Sequence, residues 1–207
     1  MSPHTAGLAA LLAATILIHP SAGFAENSSL YSTLDFDKTC QWKAPESEEE
    51  AQMGGEAVCD GIEGYPVHFI ESDLRQYVTY GQVADPVAFA TGFGEWNYVN
   101  KTVEWRLEDG RPFAAIHRWF IDNLNPETGA SDGSRQGQVL VISTVATPSQ
   151  PFSCPAGYVD ALANRNANVL ARTVADDYAN GFRCGVDKPS FHGVRGPLSG
   201  HPQGDVR

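Results

Sequence analysis

The chain has 207 residues, with 14 Lys and Arg against 25 Asp and Glu, giving a net charge of −11. That acid excess argues against nucleic acid and anionic membrane surfaces as partners, because both reward a basic surface. Four cysteines, an even number, fit two disulfides in an oxidising setting, and none of them forms a CxxC pair.

The N-terminus reads MSPHTAGLAALLAATILIHPSAGFAEN. Gly7 to Ile18 is an apolar run of roughly a dozen residues, short of the ~20 that cross a bilayer. Small residues follow, and Gly23-Phe24-Ala25 resembles an A-x-A cleavage site. Residues 1–25 therefore read as a secretory signal peptide, although its first residues hold no Lys or Arg. Cleavage is expected after Ala25, with Ala22 as the alternative. The remainder, about 180 residues, suits one domain, expected over 26–189. No second long apolar run follows, so no membrane span is expected once the signal is removed.

Strand signals begin near Leu34. TLDFDKTCQW and EAVCDGIEGY flank the acidic PESEEEAQMGG stretch, so Cys40 and Cys59 fall on opposite arms of a long-looped hairpin. The Glu46, Glu48, Glu49 and Glu50 run could hold a cation such as Ca²⁺, but a solvated face is the commoner outcome. YPVHFIESDLRQYVTYG predicts two strands that break at Glu71-Ser72-Asp73. In PVAFATGFGEWNYVN, Gly92 and Gly94 suggest a bend between short strands.

KTVEWRL, EDGRP and FAAIHRWFID form the clearest hairpin, with Asp109-Gly110 at its turn. Val103, Trp105 and Leu107 share a face, with Glu104 and Arg106 opposite. The second arm is apolar on both faces apart from His117 and Arg118, as in a central strand covered on both sides. Residues 122–137 form a polar loop, and GQVLVISTVAT is another strand.

Between Cys154 and Cys184, a helix over about 166 to 180 is well marked, with Ala167, Leu170, Ala171, Val174, Ala175, Tyr178 and Phe182 on its buried side. Asn168, Arg172, Asp176, Asp177 and Asn180 face away. If Cys154 to Ala161 were also helical, a rod of about 39 Å would keep the cysteines apart. As a strand it runs out roughly 26 Å and the helix brings the chain back. The expected bridges are thus Cys40–Cys59 and Cys154–Cys184, of three possible connectivities. Residues 190–207, dense in Gly and Pro, read as a disordered tail.

STLDFDKTC, EWRL with AAIHRWF, and an ANVLAR–AD helix closed by a cysteine resemble a family of small exported bacterial proteins of no known function. The resemblance covers about residues 31 to 189. It implies export and paired cysteines, and it carries no activity or site.

Gly129-Ala130-Ser131-Asp132-Gly133 fits G-x-S-x-G, but a nucleophile elbow needs a strand-to-helix turn, and here a strand follows. The six histidines are scattered without HExxH, no P-loop or GxGxxG occurs, and no cofactor is expected. The best candidate patch is Trp105, Arg106, His117, Arg118 and Trp119. There Arg106 and Arg118 could approach one another, or Glu104 could pair with one of them, between two aromatic walls. A His with arginines and carboxylates can clamp an anion or move protons.

The expected fold is α+β: a mostly antiparallel sheet of about six to seven strands, one long C-terminal helix packed on a face, and two disulfides. The expected role is a non-enzymatic periplasmic or extracellular protein that binds a protein or a small anionic ligand. The alternative is a small periplasmic hydrolase or lyase using His117 with a carboxylate.

Overall fold

The structure, a computed structural model, describes residues 27–203. Residues 1–26 and 204–207 lie outside the described residues, and the expected signal peptide and cleavage point fall there. In chain order the elements are β1 (Ser28–Thr33), β2 (Cys40–Trp42), α1 (Glu48–Met53), β3 (Gly54–Ile62), β4 (Tyr65–Ser72), β5 (Arg75–Tyr80) and β6 (Gly92–Phe93). They continue with β7 (Trp96–Glu108), β8 (Arg111–Asp122), β9 (Gln136–Thr144), β10 (Pro155–Asp160), α2 (Ala167–Val174), β11 (Ser190–Phe191) and β12 (Pro202–Gln203).

These strands form several sheets, where the sequence predicts one. A six-stranded sheet has the order β1-β7-β8-β9-β10-β11, a four-stranded meander runs β2-β3-β4-β5, and β12 pairs with β6. The meander pairs each strand with its neighbour in the chain and packs against the larger sheet. Ala57, Cys59, Val67, Phe69, Val78 and Tyr80 bury against Val103, Trp105, Leu107, Ala115 and Trp119. Alternation along a strand names the buried side but not the strand that covers it.

The two-residue β7–β8 turn forms as predicted. Glu108 faces Arg111 across it, and Asp109 and Gly110 sit at φ 50° and 76°. Both central residues of this turn type need positive φ, which suits Asp-Gly. The β4–β5 turn lies at Asp73-Leu74, φ 51° and 58°, slightly beyond the expected break. Strand β8 is central, and its alternating faces feed two cores. Ala115, Trp119 and Ile121 face the meander, while Ala114 and Ile116 face α2.

Among the described residues there is no long C-terminal helix, contrary to expectation. α2 holds eight residues, and the chain then widens into a π turn over Ala175–Ala179. Asn180 is already extended, and Gly181 sits at φ 87°. The wider turn shifts the helical phase, since it holds more than 3.6 residues. Ala179 turns inward, completing a buried stripe with Ala167, Ala171, Val174 and Ala175. Tyr178, expected in the core, is exposed and packs its ring beside His192.

Both predicted bridges, Cys40–Cys59 and Cys154–Cys184, are formed. Cys40 and Cys59 face each other on β2 and β3. Cys154 precedes β10, so strand out and helix back meet at the second bridge.

Residues 190–203 are not disordered as the sequence predicts. They form a strap across the larger sheet. β11 adds parallel to β10, and the His192 N–H donates to the Tyr158 carbonyl at 2.8 Å. Further along, the Gly196 N–H donates to Asp160 Oδ2 at 2.9 Å, and Asn123 Nδ2 donates to the Leu198 carbonyl at 2.9 Å. The strap crosses Gly137 so closely that a Cβ there would lie 1.8 Å from the Leu198 carbonyl oxygen.

Candidate functional site

The five residues the sequence groups together are split between the two faces of the larger sheet. Trp105, His117 and Trp119 point into the core between the sheets, each fully buried. A bulge in β7 between Val99 and Val103 leaves the Asn100 carbonyl free of the ladder. His117 Nε2 lies 2.6 Å from that oxygen, and Nδ1 lies 2.8 Å from the Tyr80 hydroxyl. A carbonyl only accepts, so Nε2 carries the proton and Nδ1 accepts from Tyr80. Burial lowers the His117 pKa to about 4, so the ring is neutral at pH 7. Among the described residues no carboxylate bonds to it, and both nitrogens are occupied by core groups.

Arg106 and Arg118 face α2 instead. Arg106 donates from Nε and Nη2 to Asp176 at 2.9 and 2.6 Å, and from Nη1 to the Ser29 hydroxyl at 2.7 Å. Glu104 pairs with neither β-strand arginine. It accepts from Arg172 Nε of α2 at 2.6 Å and from the Ser29 hydroxyl at 2.6 Å. Arg118 donates to Gln138 and Asn168 at 3.0 and 3.1 Å. These contacts fasten the helix to the sheet.

The G-x-S-x-G stretch lies in the loop between β8 and β9 and leads into a strand. Asp132 accepts from the backbone N–H of Ser134 at 3.0 Å, and hydrogen bonds from Ser134 and Asn125 hold its carboxyl down at about 2. That is turn geometry with no base beside Ser131. Glu46, Glu48 and Glu49 are exposed. Among the described residues, no three His, Cys, Asp or Glu side chains converge to hold a metal.

A cleft of about 730 Å³ lies where the strap and the segment after Cys184 cross β10. Its wall holds Pro155 and Tyr158 of β10, Phe182, Pro189, Phe191 and Pro202. Tyr158 and Phe191 face each other across the β10–β11 pair, with ring centroids 5.2 Å apart. Two cations stand at the rim, Lys188 and Arg195. Arg195 stacks its guanidinium 4.3 Å from the Phe191 ring centre. It is fixed there by bonds to the Ser199 hydroxyl at 3.2 Å and the Gly200 carbonyl at 2.7 Å. Neither cation has a carboxylate partner among the described residues. The cleft's acid, Asp187, is taken by Arg183, which donates from its backbone N–H, Nε and Nη2, and this pairing lowers the Asp187 pKa.

Tyr158 is 4% exposed, and its hydroxyl makes no hydrogen bond among the described residues. Burial raises its pKa well above the usual phenol value, so it remains a neutral O–H donor. The cleft can therefore bury an apolar body, offer one neutral donor and compensate negative charge. Sequence reasoning missed it because Arg195 and Pro202 lie in the stretch read as a disordered tail, and no local pattern brings that stretch to β10. The one available signal was Lys188 and Arg195, two cations within eight residues of a very acidic chain.

Two disulfides, with no described helix long and apolar enough to cross a membrane, fit an exported protein. No protein-family model matches the chain, no curated protein matches it, and no solved structure matches it.

Proposed function

We propose that the protein is a non-enzymatic binding protein of the periplasm or extracellular space, and that it takes a small organic anion in the cleft between β10 and the strap. One observation carries this reading. In a chain of net charge −11, two cations without carboxylate partners stand over an aromatic cleft of about 730 Å³. That size lies within the ~300–1,000 Å³ of small-molecule sites. A hydrolase or lyase built on His117 has no observation in its favour, because that ring is enclosed and lacks an acidic partner.

The test is amide chemical-shift mapping of the oxidised protein with acetate, benzoate and phenyl phosphate. At least one should shift amides in 154–158 and 182–195, and Lys188→Gln with Arg195→Gln should remove those shifts. If none of the three anions perturbs these segments, the reading is wrong.

A further inference from the structure

The lining of the cleft narrows the ligand to a chemical class, a step that rests on the anion-binding reading above. A phosphate cradle is built from converging backbone N–H groups. This cleft is lined by Pro155, Pro189 and Pro202, three residues with no N–H to give. Its positive charge comes instead from two side chains of the lining, Lys188 and Arg195. A sugar would need a ring of neutral hydrogen-bonding groups. Here the neutral polar side chains are few: Ser190, Gln203 and the Tyr158 hydroxyl. The remaining wall is flat and apolar, made of aromatic rings and proline rings. Such surfaces fit a planar aromatic body.

Two features point to a bound partner of a definite kind. The Tyr158 side chain is almost wholly buried, but its hydroxyl reaches solvent in the cleft with no protein partner among the described residues, so it is free to donate to a ligand there. Arg195 is held in place by three contacts that leave its Nη1 unused. A guanidinium fixed in this way suits an oxyanion, carboxylate or phosphate alike.

We propose that the cleft binds an aromatic carboxylate. The ring system lies against Tyr158, Phe191 and the prolines. The carboxylate meets Arg195 and Lys188, and the Tyr158 hydroxyl donates to a polar atom of the ligand.

The experiment is calorimetric titration of the oxidised protein with 2-naphthoate, against octanoate, 2-naphthylmethanol and inorganic phosphate. The naphthoate should bind at least about tenfold more tightly than each comparator, because each lacks either the ring or the carboxylate. Tyr158→Phe should weaken naphthoate by about tenfold, the loss of one hydrogen bond to a charged or polar acceptor, while the melting temperature stays close to that of the parent. Lys188→Gln and Arg195→Gln lie at the rim, and each should weaken naphthoate more than naphthylmethanol. Octanoate or phosphate binding as tightly as naphthoate would overturn the aromatic-carboxylate class and leave the anion reading standing. No binding by any of the three anions would overturn both.

Discussion

His117 stands between two hydrogen bonds that use both ring nitrogens, with Trp119 and Tyr80 at its edges. Protonation would force Nδ1 to give up its bond from Tyr80 and would place a charge where no acid is near. The folded pKa of about 4 lies below the ordinary value of 6.5 that the unfolded chain should show. Between these values the unfolded state takes a proton that the folded state refuses, so stability falls as pH drops from about 6.5 towards 4. At 1.36 kcal/mol per unit, the full effect is about 3 kcal/mol. Urea unfolding at pH 7 and pH 4 should show this loss in the parent, and His117→Gln should lose at least half of it. Equal pH dependence in the two proteins would show that His117 is not the group responsible. A histidine between apolar neighbours was visible in the sequence. Its partners were not, because the Tyr80 hydroxyl comes from another sheet and the Asn100 carbonyl is exposed by a bulge.

At the scale of elements, the helix illustrates how a polar residue can mark a covered face. Glu104 and Arg106 oppose the apolar stripe of β7, a pattern that usually means solvent. Both are buried instead, because α2 brings Arg172 and Asp176 down on either side of its alanine stripe. In the sequence those two residues sit on the side facing away from the apolar stripe. The alanines let the helix lie close to the sheet, and long side chains flanking them can then bend back to it. The Arg106–Asp176 pair is the more buried of the two, with side chains 8% and 27% exposed. Removing the carboxylate strands a buried guanidinium, so Asp176→Ala should cost about 3 kcal/mol in denaturant unfolding. Arg106→Met in the same chain should recover most of that loss, since it removes the stranded charge. If the double variant is as unstable as Asp176→Ala alone, the cost lies in helix packing rather than in the charge.

Across the whole molecule, what could be read in advance was what neighbouring residues decide. The Asp109-Gly110 turn, the arms that carry Cys40 and Cys59, and the strand-and-helix return to Cys184 all follow from local spacing. The stacking of the meander on the larger sheet and the path of the strap depend on distant backbone groups that no periodicity reports. The cleft inherits that difficulty, because one wall is β10 and the other is the chain after Cys184. That second wall is tied to the sheet at one end by Cys154–Cys184 and at the other by the two residues of β11. Between them its hydrogen bonds are largely internal, within Arg183–Asp187. The bridges close loops with separations of 19 and 30 residues, and because the entropy grows only with the logarithm of loop length each should stabilise the fold by about 3–4 kcal/mol in the chain-entropy model. Their local effects should differ. Cys154→Ser with Cys184→Ser should raise amide hydrogen exchange across 182–191 more than the overall loss of stability accounts for, because the wall then hangs from β11 alone. Cys40→Ser with Cys59→Ser should destabilise to a similar degree and leave that segment protected relative to the rest. Equal protection of 182–191 in the two variants would show that β11 and the Arg183–Asp187 turn hold the wall without the bridge.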